Sequence, residues 1–273
     1  MNLENYFISQ FKSPYIGDDG AIIGDYVYSK DAFYENVHFK INWMSYYQIA
    51  RKAMLVNISD AVAMNAKPKY ALLSVAMPKT ITKNNMRELA AGFKDVANEH
   101  NLEIIGGDTI SNTKLDITVS IISKLNRKPL LRKGLKIGHL LAFTGKLGDS
   151  YKDLKKLLNN GFIHKNSKFV NIKLRDSFVF SSSRFLSAGM DISDGLFCDL
   201  DKLASTNNLG FKFNKQISKK VACSGEEYEM LISFSPRYKK TLIRRAKQNR
   251  VKINIFSKAT RKKYINICKE NHF

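Results

Sequence analysis

The chain has 273 residues, 44% of them hydrophobic, enough for one large domain or two of ordinary size. Its 45 lysines and arginines against 24 acids give a formal charge of +21, a balance that attracts polyanions such as nucleotides, phosphorylated metabolites and nucleic acid. No run approaches the roughly 18 apolar residues of a membrane span, "MNLENYFISQFKSPYIG" has no continuous apolar h-region, and Cys198, Cys223 and Cys268 form no CxxC pair, so reduced thiols in a cytoplasmic protein are expected.

In chain order, "AIIGDYVYSK" (21–30) reads as two short strands around a Gly-Asp turn. From Tyr46 to Ala63, Ile49, Ala53 and Val56 recur at helical spacing, and the helix gives out before Pro68. "KYALLSVAMP" (69–78) is a strand, and "KNNMRELAAGFKDVANEH" (83–100) a helix with Leu89, Phe93 and Val96 or Ala97 inward. "LEII" and "LDITVSII" read as strands separated by "GGDTISNTK". "LLAFTG" (140–145) is a further strand. The pattern is α+β, or mixed α/β, with antiparallel hairpin signals.

A second unit is expected to follow, dividing the chain into 1–145 and 146–273. It holds a helix at 152–160, a loop-rich stretch, a helix after Gly195, a strand at "YEMLISF" (228–234), and then a basic helix and strand. Residues 236–263 carry twelve basic residues and no acid. With few aromatics interleaved and no RNP-like or zinc-finger pattern, they read as a solvated helix face followed by a strand, and nucleic acid is not the expected partner.

In so basic a chain the acids are the informative residues. Five short stretches place aspartates beside glycines or small polar residues: "GDDGA" (Asp18, Asp19), "SKDAF" (Asp31), "NISDA" (Asp60), "GGDT" (Asp108) and "MDISDG" (Asp191, Asp194). Each alone has an ordinary explanation, since Asp-Gly favours turns and Asp194 can cap a helix, worth about 1 kcal/mol. Two carboxylates about 4 Å apart repel by about 4 kcal/mol at an effective dielectric near 20. If the stretches meet in space, they remain ionised only with divalent cations between them. Hard oxygen ligands of this kind suit magnesium, which completes its octahedron with water and substrate phosphates.

Taken in order, "IGDDGA" (16–21), "SKDAFYENVHF" (29–39), "VNISDAVAMNAKP" (56–68), "IIGGDT" (104–109), "FTGKLGDS" (143–150), "MDISDGLFCDL" (190–200) and "SGEEYEMLI" (224–232) resemble the thiamine-monophosphate kinases. These belong to the aminoimidazole ribonucleotide synthetase-like superfamily, and the final "NHF" is also like theirs. The resemblance implies a two-domain fold, with an N-terminal sheet domain that binds ATP and dimerises and a C-terminal α/β domain that completes the site. It implies phosphoryl transfer from ATP to thiamine monophosphate with several Mg2+ ions, in a homodimer.

Carried over residue by residue, Asp18, Ser29, Asp31, Asp60, Asp108, Asp191 and Asp194 would be magnesium ligands. Gly107, Asp108, Arg132 and Ser193 would contact ATP, and His38 the substrate. No general base is expected, because the acceptor phosphate oxygen is already deprotonated, and the transfer depends on positioning and electrostatics. There is no GxxxxGK[ST] motif.

Three departures stand out. Lys30 replaces the family's usual threonine, and its ammonium is expected to act as a point cation near the ATP phosphates. The segment between Ser150 and Met190 is short, and "KINIFSKATRKK" lacks the expected glycine-centred turn. Both bear on the acceptor pocket. Two alternatives follow: an ATP-dependent enzyme of the same superfamily with another acceptor, or a non-catalytic protein that keeps the fold and binds anions or RNA.

Overall fold

The computed structural model describes residues 3–269; the terminal "NHF" lies outside them. After a short helix α1 (Leu3–Ser9) come strands β1 (Ala21–Ile23) and β2 (Tyr26–Tyr34), helix α2 (Tyr46–Ala63), β3 (Ala66–Pro78), α3 (Lys83–Glu99), β4 (Glu103–Asn112) and β5 (Asp116–Leu125). They form a five-stranded sheet of order β1-β2-β5-β3-β4. All its pairings are antiparallel except β3–β4, which run parallel with α3 as the crossover.

Helix α2 begins in a capping box, in which the Ser45 hydroxyl accepts from the Gln48 amide and the Gln48 side chain accepts from the Ser45 amide. It is buried on nearly every side, because it packs on the first sheet, on α3 and on the second half of the molecule. Helix α3 turns Leu89, Phe93, Val96 and Ala97 inward, as its spacing predicts.

The second sheet uses β6 (Leu140–Thr144), β7 (Ala188–Asp191), β8 (Gly210–Phe213), β9 (Met230–Phe234) and β10 (Ile253–Thr260), in the order β7-β9-β6-β10-β8. Around it lie α4 (Asp149–Leu158), α5 (Asp176–Ser182), α6 (Leu196–Asn207), α7 (Lys219–Ala222) and α8 (Lys239–Gln248). Leu196, Leu200 and Leu203 of α6 share a core with Leu141, Leu231 and Phe256. Phe178 and Val179 of α5 and Leu242 and Ala246 of α8 join a larger core with Ile232 and Phe234 that runs on into α2 and the first sheet. The basic segment is indeed a helix, α8, with only Leu242 and Ala246 buried, followed by a strand. Among the described residues no helix is long and apolar enough to cross a membrane.

Two sequence expectations are corrected. "GGDTISN" does not separate two strands but continues β4, pairing with β3 through Leu72↔Gly106, Leu73↔Gly107 and Ser74↔Asp108. A Cβ on Gly107 would lie 1.7 Å from the Leu73 carbonyl oxygen, so the glycine is there for close strand approach rather than for a turn. The thiols are not all free: Cys223 and Cys268 are joined in a disulfide across 45 residues, while Cys198 is a buried free thiol. The segment after β10 returns beside α7, a proximity that sequence spacing does not reveal.

Candidate active site

Elements of both halves meet at one cavity of about 680 Å³. Asp18 and Asp19 come from the loop before β1, Asp31 from β2, Asp60 from the last turn of α2, and Arg132 from the segment after β5. Asp191 ends β7, and Ser193 and Asp194 lie between β7 and α6. His38, Glu226 and Tyr228 also line the cavity. Six aspartates scattered over nearly 180 positions therefore share one space, bringing four of the five acidic stretches together and leaving Asp108 out.

The geometry separates them by partner. The Asp18 carboxylate accepts from the Arg132 backbone amide at 2.6 Å, and Asp19 accepts from Arg132 Nε at 3.1 Å. Asp191 is buried and accepts from the Ser59 hydroxyl at 2.7 Å. Asp194 accepts from the ammonium of Lys202. Burial pushes Asp60 well above the usual carboxylate range, and the charges of Asp31, Asp191 and Asp19 push it further. Asp191 is raised in the same way, by burial and then by Asp19. Burial lifts Asp31 to about 6, although its hydrogen bond with Asp60 lowers it. These directions have one cause: carboxylates crowded out of water with too little positive charge among them.

The donor set fits magnesium. It consists of hard carboxylate oxygens, and Asp19 Oδ2 is buried without a hydrogen-bond partner. Among the described residues no three His, Cys, Asp or Glu side chains form a ready-made metal cage. They ring the cavity instead, the arrangement suited to an ion bound through one or two carboxylates that keeps water and phosphate in its remaining positions.

His38 closes one side. Its Nδ1 accepts from the Tyr34 amide at 3.0 Å and its ring stacks on Phe33, so in the neutral ring the proton resides on Nε2. The Ser193 carbonyl accepts from the Glu226 amide at 2.7 Å, which ties the "DISDG" loop to the "SGEEY" loop. Glu226 and Tyr228 hold positive φ values of 53° and 48°, uncommon for non-glycine residues and concentrated at functional loops.

Three expected site residues lie elsewhere. Ser29 faces α2 and gives its hydroxyl to the Asn57 side chain; it is buried beneath the cavity rather than in its wall. Gly107 and Asp108 line a separate, mostly apolar depression of about 360 Å³ with Leu73, Val75, Met77, Met86 and Phe93. Lys30 touches the cavity, but its ammonium donates to Thr118 at 3.2 Å and approaches Ser120 at 3.5 Å. Strand alternation turns its side chain to the sheet face opposite Asp31, whereas the sequence leads us to expect a point cation near the ATP phosphates.

With this geometry in place, comparison with known proteins identifies the lineage. Residues 17–124 match the family model for AIR synthase related protein, N-terminal domain. The thiamine-monophosphate kinase of Leptospira interrogans is 30% identical, covering 86% of this chain and 81% of that protein. That of Buchnera aphidicola, from Acyrthosiphon pisum, is 33% identical, with coverages of 81% and 77%. The chain belongs to the thiamine-monophosphate kinase family.

The solved structure of AaThiL complexed with AMPPCP and TMP superposes with a TM-score of 0.83 at 22% identity, covering 96% of this chain and 91% of that one. The HypE–HypF complex includes a chain of the same fold, with a TM-score of 0.78 at 15% identity and coverages of 97% and 94%. The fold therefore serves more than one protein, and membership of the kinase family rests on the sequence relatives.

Sequence reasoning gave no role to Asp19, Glu226 or Lys202. The first two lie inside motifs that are visible as motifs, so the signal was present. Lys202 sits in "DLDKLA", where an amphipathic helix surface gives no sign that its ammonium turns back toward Asp194.

Proposed function

We propose that this protein transfers the γ-phosphoryl group of ATP to the phosphate of thiamine monophosphate, yielding thiamine diphosphate and ADP. The observation that carries the reading is the convergence of Asp18, Asp19, Asp31, Asp60, Asp191 and Asp194 with Arg132 around one cavity, in a chain of this family. Asp18, Asp31, Asp60 and Asp191 would hold Mg2+. When bound, the ions supply neutralising charge for two phosphate anions brought into line. Arg132, fixed by Asp19, presents a guanidinium suited to phosphate oxygens. Ser193 and His38 line the same cavity, which supports a phosphate contact for the one and a substrate contact for the other. No side chain has to remove a proton, because the attacking oxygen is already ionised. Catalysis is positioning and charge compensation.

Asp108 contributes through a second copy of the chain. The register Tyr28↔Ile122↔Tyr70, Lys30↔Ser120↔Leu72 and Thr118↔Ser74↔Asp108 puts these residues on one face of the first sheet. Helices α2 and α3 cover the other face. Tyr28, Tyr70 and Leu72 are exposed there, an apolar strip suited to an isologous dimer. Asp108 lies on this same face, so the dimer supplies it to the partner's carboxylate cavity. The two sheets, whose strands span 21–125 and 140–260, support a division between residues 125 and 140, with β6 in the second unit rather than ahead of a boundary at 145.

The test is one reaction of purified protein with ATP, magnesium and thiamine monophosphate, with products separated by chromatography. Matched thiamine diphosphate and ADP, abolished by chelator, are expected. Folded protein that binds ATP yet forms no thiamine diphosphate would overturn the acceptor assignment. A folded protein that neither binds nor turns over ATP would overturn the kinase reading altogether.

A further inference from the structure

Lys202 lies in the second turn of α6, yet it belongs to the cavity. Helical side chains lean toward the helix N-terminus, and this one passes over Asp199, three residues back, to reach Asp194 at the helix entrance. Its Nζ is 3.1 Å from Asp199 Oδ1 and also donates to Asp194 Oδ2. Asp199 is wholly buried, and its second oxygen has no partner. Lys202 itself is about one-third exposed and lines the cavity.

Among the described residues, two other cations line the cavity. Arg132 is held by Asp19, and the Lys30 ammonium turns to the hydroxyls of Thr118 and Ser120. Asp194, one of the two second-half aspartates expected to bind metal, therefore already faces a full positive charge delivered by the chain. An ammonium has three donor hydrogens. Asp194 and Asp199 engage two of them, which leaves one for an anion in the cavity.

We infer that Lys202 is a built-in cation of the phosphate site, occupying the place of one metal ion at Asp194 and contacting the nucleotide phosphates. The inference rests on the nucleotide site proposed above. It makes Lys202 a further substrate-contacting residue and reduces by one the divalent ions that the cavity needs. Asp199 is the residue that aims it.

The test uses full-length protein, AMPPCP and Mn2+, with affinity read by calorimetry and bound ions counted by electron paramagnetic resonance. Lys202→Met alone strands the buried Asp199 carboxylate and risks misfolding. The deciding variant is therefore Lys202→Met/Asp199→Asn, compared with Asp199→Asn alone so that the difference reports the lysine.

The double variant is expected to bind AMPPCP about tenfold more weakly at low Mn2+, the scale of one charged hydrogen bond, and to take up one additional Mn2+ per site as the concentration rises. Lys202→Arg is expected to keep the ion count of the wild type. Unchanged affinity in the double variant would remove the phosphate contact, and weaker binding with an unchanged ion count would remove the substitution for a metal. Wild-type protein that binds no AMPPCP would overturn the nucleotide site and this inference with it.

Discussion

Asp60 occupies the point where the cavity's negative charge is most concentrated, with Asp31, Asp191 and Asp19 all raising its proton affinity beyond what burial does. Asp60→Asn removes a formal charge with little change of shape. Turnover is expected to fall by at least about 10²-fold, the scale of deleting one major electrostatic stabiliser, while the circular dichroism spectrum stays that of the wild type. The substitution also relieves repulsion, so the metal-free variant is expected to melt no lower than the wild type, and magnesium to raise its Tm less. A folded variant with near-normal turnover would remove Asp60 from the site.

Glu229 shows the opposite balance. It is buried, yet Arg175 donates to both of its oxygens at 2.7 Å, with Thr144 at 2.7 Å and Lys168 at 3.1 Å. Burial pushes its carboxyl up, but these partners together win and hold it below its ordinary 4.5. A depressed folded pKa contributes stability that is complete above the unfolded value and is lost as pH falls through the folded one. Glu229→Gln is expected to cost about 3 kcal/mol at neutral pH, the scale of breaking a buried ion pair. Thermal melts should show the gap to wild type narrowing as pH is lowered below about 4.5. A gap independent of pH would mean that Glu229 acts by shape rather than charge.

At the scale of elements, β4 depends on Gly107. A methyl group there meets the Leu73 carbonyl at 1.7 Å, and the backbone has φ 152°. Relief requires β3 and β4 to separate, so Gly107→Ala is expected to destabilise by a few kcal/mol, seen as a lowered Tm and faster amide exchange along β3 and β4. A wild-type Tm would show that the strands can shift at little cost.

The same strand shows what the sequence conceals. Helices α2 and α3 are legible because apolar residues recur at their period, and β2 and β3 because short apolar or alternating runs lie beside turn residues. "GGDT" reads as a turn because a glycine pair usually marks one, whereas here the glycines permit close parallel pairing. Strands β7 and β8 have four residues each, too few for a periodic signal. The aspartates were legible as a set because their order and local contexts repeat a family pattern. The side of the sheet that Ser29 and Lys30 face was not legible, because the motif gives neighbours along the chain, whereas strand alternation decides which way each side chain turns.

At the scale of the whole molecule, two features find an explanation together in a second copy: an open sheet face bearing Tyr28, Tyr70 and Leu72, and an Asp108 that one chain leaves outside its carboxylate cavity. In a twofold dimer, each cavity would draw Asp60 from one chain and Asp108 from the other. Asp60→Asn and Asp108→Asn would each disable both cavities of their own homodimers. Mixing and re-equilibrating the two variants makes heterodimers in which one cavity carries both substitutions and the other carries neither. Random exchange places half of the dimers in this form, so recovery of about a quarter of wild-type activity is expected. Leu72→Arg, placed at the centre of the open face, should prevent the exchange and yield a monomer by light scattering. Recovery on mixing requires sites shared between chains, because neither variant supplies an intact set alone. Dimers that exchange subunits, verified by differential tagging, yet regain no activity would place Asp60 and Asp108 in the service of the same chain.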